Sequence, residues 1–382
     1  MIEKTPPSTQ TNIVEVETPE LLNEFIKFPL RLYANDPHYV APLISERKEF
    51  FDQKENPFFS GAKVKLFLAK QKGETVGRIS TCVYFAHNDL HHETTGFFGF
   101  FDTIENEAVA HALLKTALIT LKQENMTQMR GPASFCTNHE CGFLVEGFDS
   151  PPAVMMPYDR PYQAQFAESF GLAKEMDLYA YLITKETFGG ERLLRLADKI
   201  AQRSGATIRP LNMKRFDEEV ALIHNLYNKA WALNWGFVPM TQAEFQHMAK
   251  QMKQIIEPEL ALIAEVDGQA IGFSLSLPDI NQALKYLDGT LFPSGLIKLL
   301  WHTKVRNKVT GLRTIIMGVL PEYQKKGIDS LFHMRTFKAG SSLGYTHSEI
   351  SWVLETNSKM RILAERLGAA VYKTYRLVEM DI

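Results

Sequence analysis

Cysteine is scarce in this sequence: Cys82, Cys136 and Cys141 are the only three in 382 residues. Three unevenly placed thiols make no disulfide framework, and residues 1–18 are polar rather than charged and then apolar. Both features point to a reducing cytoplasm and away from an export signal. Long apolar runs are missing too. The densest stretch, residues 291–301, is interrupted by Pro, Gly and Lys, whereas a bilayer crossing needs about 20 apolar residues, so no membrane role is expected. Charge of one sign is not in excess either: 42 Lys and Arg against 44 Asp and Glu leave a formal net charge of −2. That balance calls for neither nucleic acid nor an anionic surface as partner.

What remains, 45% hydrophobic and 23% charged residues, suits an ordinary globular chain of about two domains. The order of elements repeats. Segments 65–69 and 75–81 alternate around Lys72-Gly73, and segments 260–266 and 270–277 alternate around Asp267-Gly268; each pair reads as a β-hairpin. A strand (96–101; 314–320), a helix (108–124; 328–343), a strand (128–131; 348–354), a helix ending at glycine and a last strand follow in both halves. Gly77 and Gly272 stand 195 residues apart, and Gly171 and Gly368 stand 197 apart. The reading is α/β (α+β), with two tandem domains, 1–185 and 186–382, joined near 184–190, each a mixed, mostly antiparallel sheet flanked by helices. The first dozen residues read as disordered.

Val319 to Ser330 follow a strand and open a helix. Backbone amides in the first turn of a helix lack internal partners, the macrodipole is positive there, and Gly327 lets the backbone approach an anion closely. No acidic residue occurs from 289 to 321, while Lys298, Lys304, Arg306, Lys308 and Arg313 lie in that interval, and Lys325 and Lys326 follow Glu322. These seven cations are expected to form one polyanion site.

The segment Gln324-Lys325-Lys326-Gly327-Ile328-Asp329 resembles the Gln/Arg-x-x-Gly-x-Gly/Ala signature of the GNAT superfamily of acyl-coenzyme A-dependent N-acyltransferases. The preceding hairpin and the helix from Asn357 to Leu367 stand in the superfamily's order. The resemblance is good over about residues 208–379 and architectural elsewhere. It implies acetyl-CoA or another acyl-CoA as co-substrate, held by Val319, Gln324, Lys325, Lys326, Gly327, Ile328, Asp329, Ser330 and Asn357, and no metal. It also implies that the loop 231–240 lines the acceptor pocket through Trp231, Asn234, Trp235 and Phe237, which would suit a small amine, aromatic or apolar.

The sequence also departs from that pattern. Asp329 stands where a small residue is usual, and its side chain is expected to point away from the loop. Ala364 occupies the place of the tyrosine that protonates the thiolate in many members, and residues 314–320 hold no carboxylate. The chemistry must then come from elsewhere. Alternation puts Glu349 and Glu355 on one face of their strand, and these two with Asp279 are the base candidates; Tyr372 and Tyr375 are the acid candidates. Each also has a purely structural reading. The N-terminal half carries Asp102, Glu105 and Glu107 at its equivalent strand-to-helix junction, so it should not bind a diphosphate. Its long loop 132–161 is apolar enough to act as a lid or acceptor wall. Neither Cys136, His139 and Cys141 nor His87, His91, His92 and Glu93 show a recognisable metal spacing.

Three functions remain open: an N-acyltransferase (acetyltransferase) acting on a small amine, a catalytically silent binding or regulatory protein of the same fold, and an aminoacyl transferase using transfer RNA. The modest basicity disfavours the last.

Overall fold

The computed structural model describes residues 10–189, 191–291, 295–306 and 308–382. Part of the expected N-terminal disorder (1–9), Gly190 of the expected junction and the side chain of Lys304 lie outside the described residues.

The N-terminal half runs β1 (Asn12–Glu15), α1 (Pro19–Leu32), α2 (Ile44–Phe50), β2 (Ala62–Gln71), β3 (Glu74–Tyr84), α3 (Phe85–His91), β4 (Thr95–Thr103), α4 (Glu107–Gln123), β5 (Gln128–Gly131), β6 (Phe143–Glu146), α5 (Pro161–Phe170) and β7 (Ala173–Thr184). The C-terminal half runs α6 (Glu191–Ser204), β8 (Thr207–Pro210), α7 (Phe216–Ala230), α8 (Gln242–Met252), β9 (Ala261–Val266), β10 (Gln269–Pro278), α9 (Asn281–Leu284), α10 (Gly295–Leu300), β11 (Gly311–Val319), α11 (Ile328–Ser342), β12 (His347–Leu354), α12 (Ser358–Arg366) and β13 (Ala370–Asp381).

Local chemistry sets the elements. Both hairpins turn on two residues of positive φ, Lys72 and Gly73 in one and Asp267 and Gly268 in the other, a geometry that matches the natural twist of paired strands. Helix α4 opens on Asn106, whose side chain accepts the Val109 amide, and buries Val109, Ala110, Leu113, Leu114, Ala117 and Leu121 along one stripe. In α8 a reciprocal pair of bonds between Thr241 and Glu244 satisfies two otherwise orphaned amides.

All strands join one sheet in the order β1-β2-β3-β4-β5-β13-β7-β12-β11-β10-β9-β8, with β6 on β13. Pairing is antiparallel except at β4–β5 and β11–β12. The centre of the sheet holds an exchange: β13 pairs with β5, and β7 pairs with β12. Each range, 1–185 and 186–382, therefore lends its last strand to the other, and a core of Leu178, Ala180, Tyr375 and Leu377 with Phe97, Phe135 and Leu144 ties them together.

Candidate functional site

In both halves the parallel pair is short and then splays. Strands β11 and β12 pair only over 311–314 with 347–350, and β4 and β5 only over 95–97 with 128–130. Beyond those residues each pair opens as a wedge. The N-terminal wedge is filled by its own chain: the Ala133 amide donates to Phe98 O at 2.8 Å, and a Cβ placed on Gly99 would lie 1.8 Å from Ala133 O.

The C-terminal wedge ends in the strand-to-helix junction singled out above. Lys325 and Gly327 both take positive φ, 62° and 82°, and Gly327 caps α11. Any side chain at 327 would also meet Ile200 of α6, 2.9 Å from its Cβ. Among the described residues, no hydrogen-bond acceptor faces the amides of Lys326, Gly327, Ile328 and Asp329. Asp329 does not point away as expected: its carboxylate accepts the Ser330 amide at 2.8 Å. A short anionic side chain beside unpaired, positively polarised amides folds onto them, so one donor is taken and a negative charge stands at the helix start. Lys325 and Lys326 are exposed beside it, with Lys326 over the Tyr323 ring.

The seven cations do not form one cluster. Lys298, Arg306 and Lys308 precede β11, whereas Lys325 and Lys326 follow it, and a nine-residue strand at about 3.3 Å per residue puts about 30 Å between its ends. Arg313 is buried and engaged elsewhere.

Two side chains occupy the open edge of β11. The Leu320 amide bonds Ile271 of β10, so strand alternation turns the carbonyls of Val319 and Met317 toward the wedge. Trp231 donates its indole N–H to Met317 O at 3.0 Å, and Gln324 donates its side-chain amide to Val319 O at 3.1 Å. Asn357 caps α12 through the Met360 amide at 3.1 Å.

A polar cluster sits at the closed end of the wedge on one face of the sheet. Glu349 on β12 accepts hydrogen bonds from the Ser351 and Tyr372 hydroxyls. Arg313 on β11 stands 3.5 Å from Glu349, both nearly without exposure, and its Nε donates to Ser351 Oγ at 2.8 Å. The same guanidinium donates to the carbonyls of Val154 and Met155 at 2.7 and 3.0 Å, and Asp279 accepts the Val154 amide at 2.8 Å. Thus the long N-terminal loop reaches across and lies over this cluster. Lys373, fully buried, donates to the carbonyls of Gly147 and Ser150 and anchors the loop's near end. Burial raises Asp279 to about 7, against the pull of the Val154 amide and helped by the charge of Glu349. Burial, Glu349 and the hydrogen bond to it raise the Tyr372 phenol far above its ordinary range.

The cluster therefore gathers Asp279, Glu349 and Tyr372 from the sequence candidates, with Tyr375 beside them, and excludes Glu355. Glu355 does not share the face of Glu349, because the register of β12 against β7 shifts between Ile350 and Val353 and breaks the alternation; it accepts from Lys174 and the Asp177 amide instead. Tyr375 is wholly buried, and its hydroxyl, without a hydrogen-bond partner among the described residues, lies in the field of Glu349 and Arg313. Of the expected acceptor wall, Phe237 is core. Trp235 and Asn234 line a cleft of about 420 Å³ with His87, His91, Glu93 and Arg130, and neither Asp279 nor Glu349 is part of its lining. Arg313 and Ser351 are not among the site candidates, Arg313 being counted with the phosphate-site cations, whereas the 153–155 backbone belongs to the loop 132–161 expected as a lid or acceptor wall.

On the opposite face of the same parallel pair, Leu312, Thr314, Ser348 and Ile350 line an apolar pocket closed by Phe188, His333, Thr336, Phe337 and Leu367. Phe188 and Phe337 stack at 3.7 Å, and burial lowers His333 to about 4, leaving it neutral near pH 7. Among the described residues, no three His, Cys, Asp or Glu side chains gather as a metal site, and no helix is long and apolar enough to cross a membrane.

No protein-family profile matches the chain. It is 39% identical over 373 residues to the bacterial ceramide synthase of Caulobacter vibrioides, covering 96% of this chain and 97% of that protein. It is also 39% identical over 370 residues to Protein YghO of Escherichia coli, covering 94% and 93%. Among solved structures, a tandem GNAT protein from the clavulanic acid biosynthesis pathway aligns over 97% of this chain and 98% of its own, with a TM-score of 0.56 at 12% identity. A GCN5-related N-acetyltransferase from Sphaerobacter thermophilus aligns over 99% and 97%, with a TM-score of 0.55 at 11% identity.

Proposed function

The chain belongs to the family of the Caulobacter ceramide synthase and YghO, built on a tandem GNAT fold, and from that premise we propose that it transfers the acyl group of an acyl-CoA to the amine of a long-chain amino alcohol. The observation that carries the reading is the pairing, at one wedge, of a strand-to-helix junction with free amides and a carboxylate cluster at the closed end. A ceramide is an N-acylated long-chain amino alcohol, so both substrates would be half polar and half apolar.

The residues fit a diphosphate in part. The free amides of 326–329 with Lys325 and Lys326 attract it, and the Asp329 carboxylate opposes it. The net fit favours the anion, since two cations and the helix dipole face one carboxylate. The apolar pocket behind β11 and β12, about 60 Å³ in volume, would take only the end of a hydrocarbon chain; burial pushes His333 and His347 in its lining toward the neutral form, and Lys185 beside it is exposed.

In the transfer, the amine nitrogen attacks the thioester carbonyl, the C–N bond forms, the C–S bond breaks, and the ammonium proton must reach the thiolate. Asp279, near 7, is matched to accept that proton and to return it. Tyr372 holds its own proton too tightly to serve as the acid; it fixes Glu349, which with Asp279 would attract the ammonium. Arg313 keeps Glu349 and the covering loop in place and limits the repulsion between the two carboxylates.

The test is direct. Purified protein given a long-chain acyl-CoA and a sphingoid base should release free thiol in step with N-acyl product, measured by mass spectrometry. Acetyl-CoA and short amines should be poorer by on the order of tenfold per few methylenes removed. Equal turnover of short and long amines would remove the long-chain assignment, and no turnover with any pair would favour the silent binding protein.

A further inference from the structure

The insertion between β10 and β11 turns its helix inside out. Leu299 packs inward with Leu284 and Leu287, yet Leu296, Ile297, Leu300, Trp301 and Val305 face solvent, with Ile297 70% and Val305 60% exposed. Their spacing, 296 with 300 and 297 with 301 and 305, puts them on one stripe of α10 and the wider helical turn that continues it, Trp301–Val305. The half-buried positions on the inner side are Leu299, His302 and Thr303, two of them polar. A helix of a water-soluble surface shows the opposite arrangement.

Within the segment that carries the stripe, the charge is of one sign. Lys298, Arg306 and Lys308 are exposed, and no Asp or Glu occurs anywhere from 289 to 321. These cations are free of the phosphate junction, which lies at the far end of β11, so the polyanion role first expected of them does not apply. An aliphatic and tryptophan stripe edged by Lys and Arg complements an anionic lipid surface: hydrocarbon enters the acyl boundary, the indole sits at headgroup depth, and the cations meet phosphates.

The position adds a second observation. Asn281, at the root of the insertion, donates to the carbonyls of Pro152 and Ala153 at 3.0 Å each, and Asp279 accepts the Val154 amide. The apolar stripe thus belongs to the same corner of the molecule as the loop that covers the carboxylate cluster.

We propose that residues 295–306, with Lys308, form an interfacial docking element that seats this corner on an anionic bilayer, against the expectation of no membrane role drawn from the missing long apolar run. Such docking needs no crossing helix, and it would bring the closed end of the wedge to the place where long-chain amines reside. It stands independently of which amine is acylated.

The experiment is sucrose-gradient flotation of the full chain, without substrates, on vesicles of phosphatidylcholine alone and of phosphatidylcholine mixed with phosphatidylglycerol. The chain should float with the mixed vesicles and much less with the neutral ones, and binding should fall with added salt. Lys298→Glu with Arg306→Glu should lower the partition coefficient by about 30-fold or more, and Ile297→Ser with Leu300→Ser and Trp301→Ser by on the order of 100-fold. Because these residues are exposed, unfolding midpoints should stay close to that of the parent, which separates lost docking from lost fold. Absence of flotation at low salt, or flotation that ignores both sets of substitutions, overturns the proposal. So does a concentration-dependent dimer that the serine substitutions dissolve, since the stripe would then be covered by a second copy. The acyl-transfer assay with detergent-dispersed amine is read separately, so failure of docking and failure of the proposed reaction are distinguishable.

Discussion

The two halves share an order of elements and a wedge between parallel strands, but they use the wedge differently. In the N-terminal half the chain after β5 turns back into the opening, and Phe98, Gly99 and Ala133 lie in backbone contact. Its following junction carries Asn106 and Glu107 at the start of α4, where the Asn106 side chain accepts the Val109 amide and the carboxylates of Glu105 and Glu107 repel anions. In the C-terminal half the wedge is lined by side chains, Trp231 and Gln324, and the junction keeps free amides. The comparison teaches that one half fills its opening with its own backbone and the other keeps it open, where the acyl-CoA is proposed to bind, while the exchanged strands β7 and β13 make each depend on the other.

The largest expected break in this comparison comes from Gly99→Ala. Its Cβ would sit 1.8 Å from a buried carbonyl, and the cost should be about 4 kcal/mol or more in a chemical-unfolding midpoint series. Gly318→Ala in the C-terminal wedge meets Phe273 and the Ala230 methyl at 2.7 and 2.9 Å, so it should cost about 1–3 kcal/mol. Equal costs would mean that the N-terminal wedge is no more tightly filled than the other.

Asp279→Asn comes next. The amide keeps the bond from Val154 but accepts no proton, so turnover should fall by about 10²–10⁴-fold, with little change in unfolding below about pH 4, where the parent carboxyl is also neutral, and a gain in stability toward pH 7. The sign of the pH dependence follows from the raised value. The carboxylate form grows in as pH rises through about 7, so kcat/KM of the parent should rise there. Ionisation inside the fold is harder than in the unfolded chain, so this group's contribution to stability falls as pH climbs from its ordinary 3.8 to about 7. The Asn variant should lose both slopes; an unchanged activity profile would move the base to another residue.

The smallest effect belongs to Asp329→Asn. Removing a charge from the first turn of α11 should cost about 0.3–1 kcal/mol of stability and, by freeing the junction of its anion, tighten acyl-CoA binding severalfold in calorimetry. Unchanged affinity would show that the carboxylate turns aside when the ligand arrives.

Much of the fold was legible along the chain because hairpins, caps and periodicity are local. The Lys72-Gly73 and Asp267-Gly268 turns, the stripe of α4 and the helix opening at Gly327 are where turn chemistry and spacing put them. The site was only half legible. Asp279, Glu349 and Tyr372 were candidates by residue type, but alternation misled at Glu355, because a register shift inside β12 is not encoded in a hydrophobic pattern.

By itself, then, the sequence determined the elements, their repeated order and a strand-to-helix junction with unpartnered amides, since each follows from a few neighbouring residues. Tertiary structure alone decided that β7 and β13 change places, that Arg313 and the 153–155 backbone close over Glu349, and that the cations of 298–308 lie at the far end of β11 from Gly327. Those are contacts between residues distant in the chain, fixed by which faces can be buried together, and no local pattern specifies them.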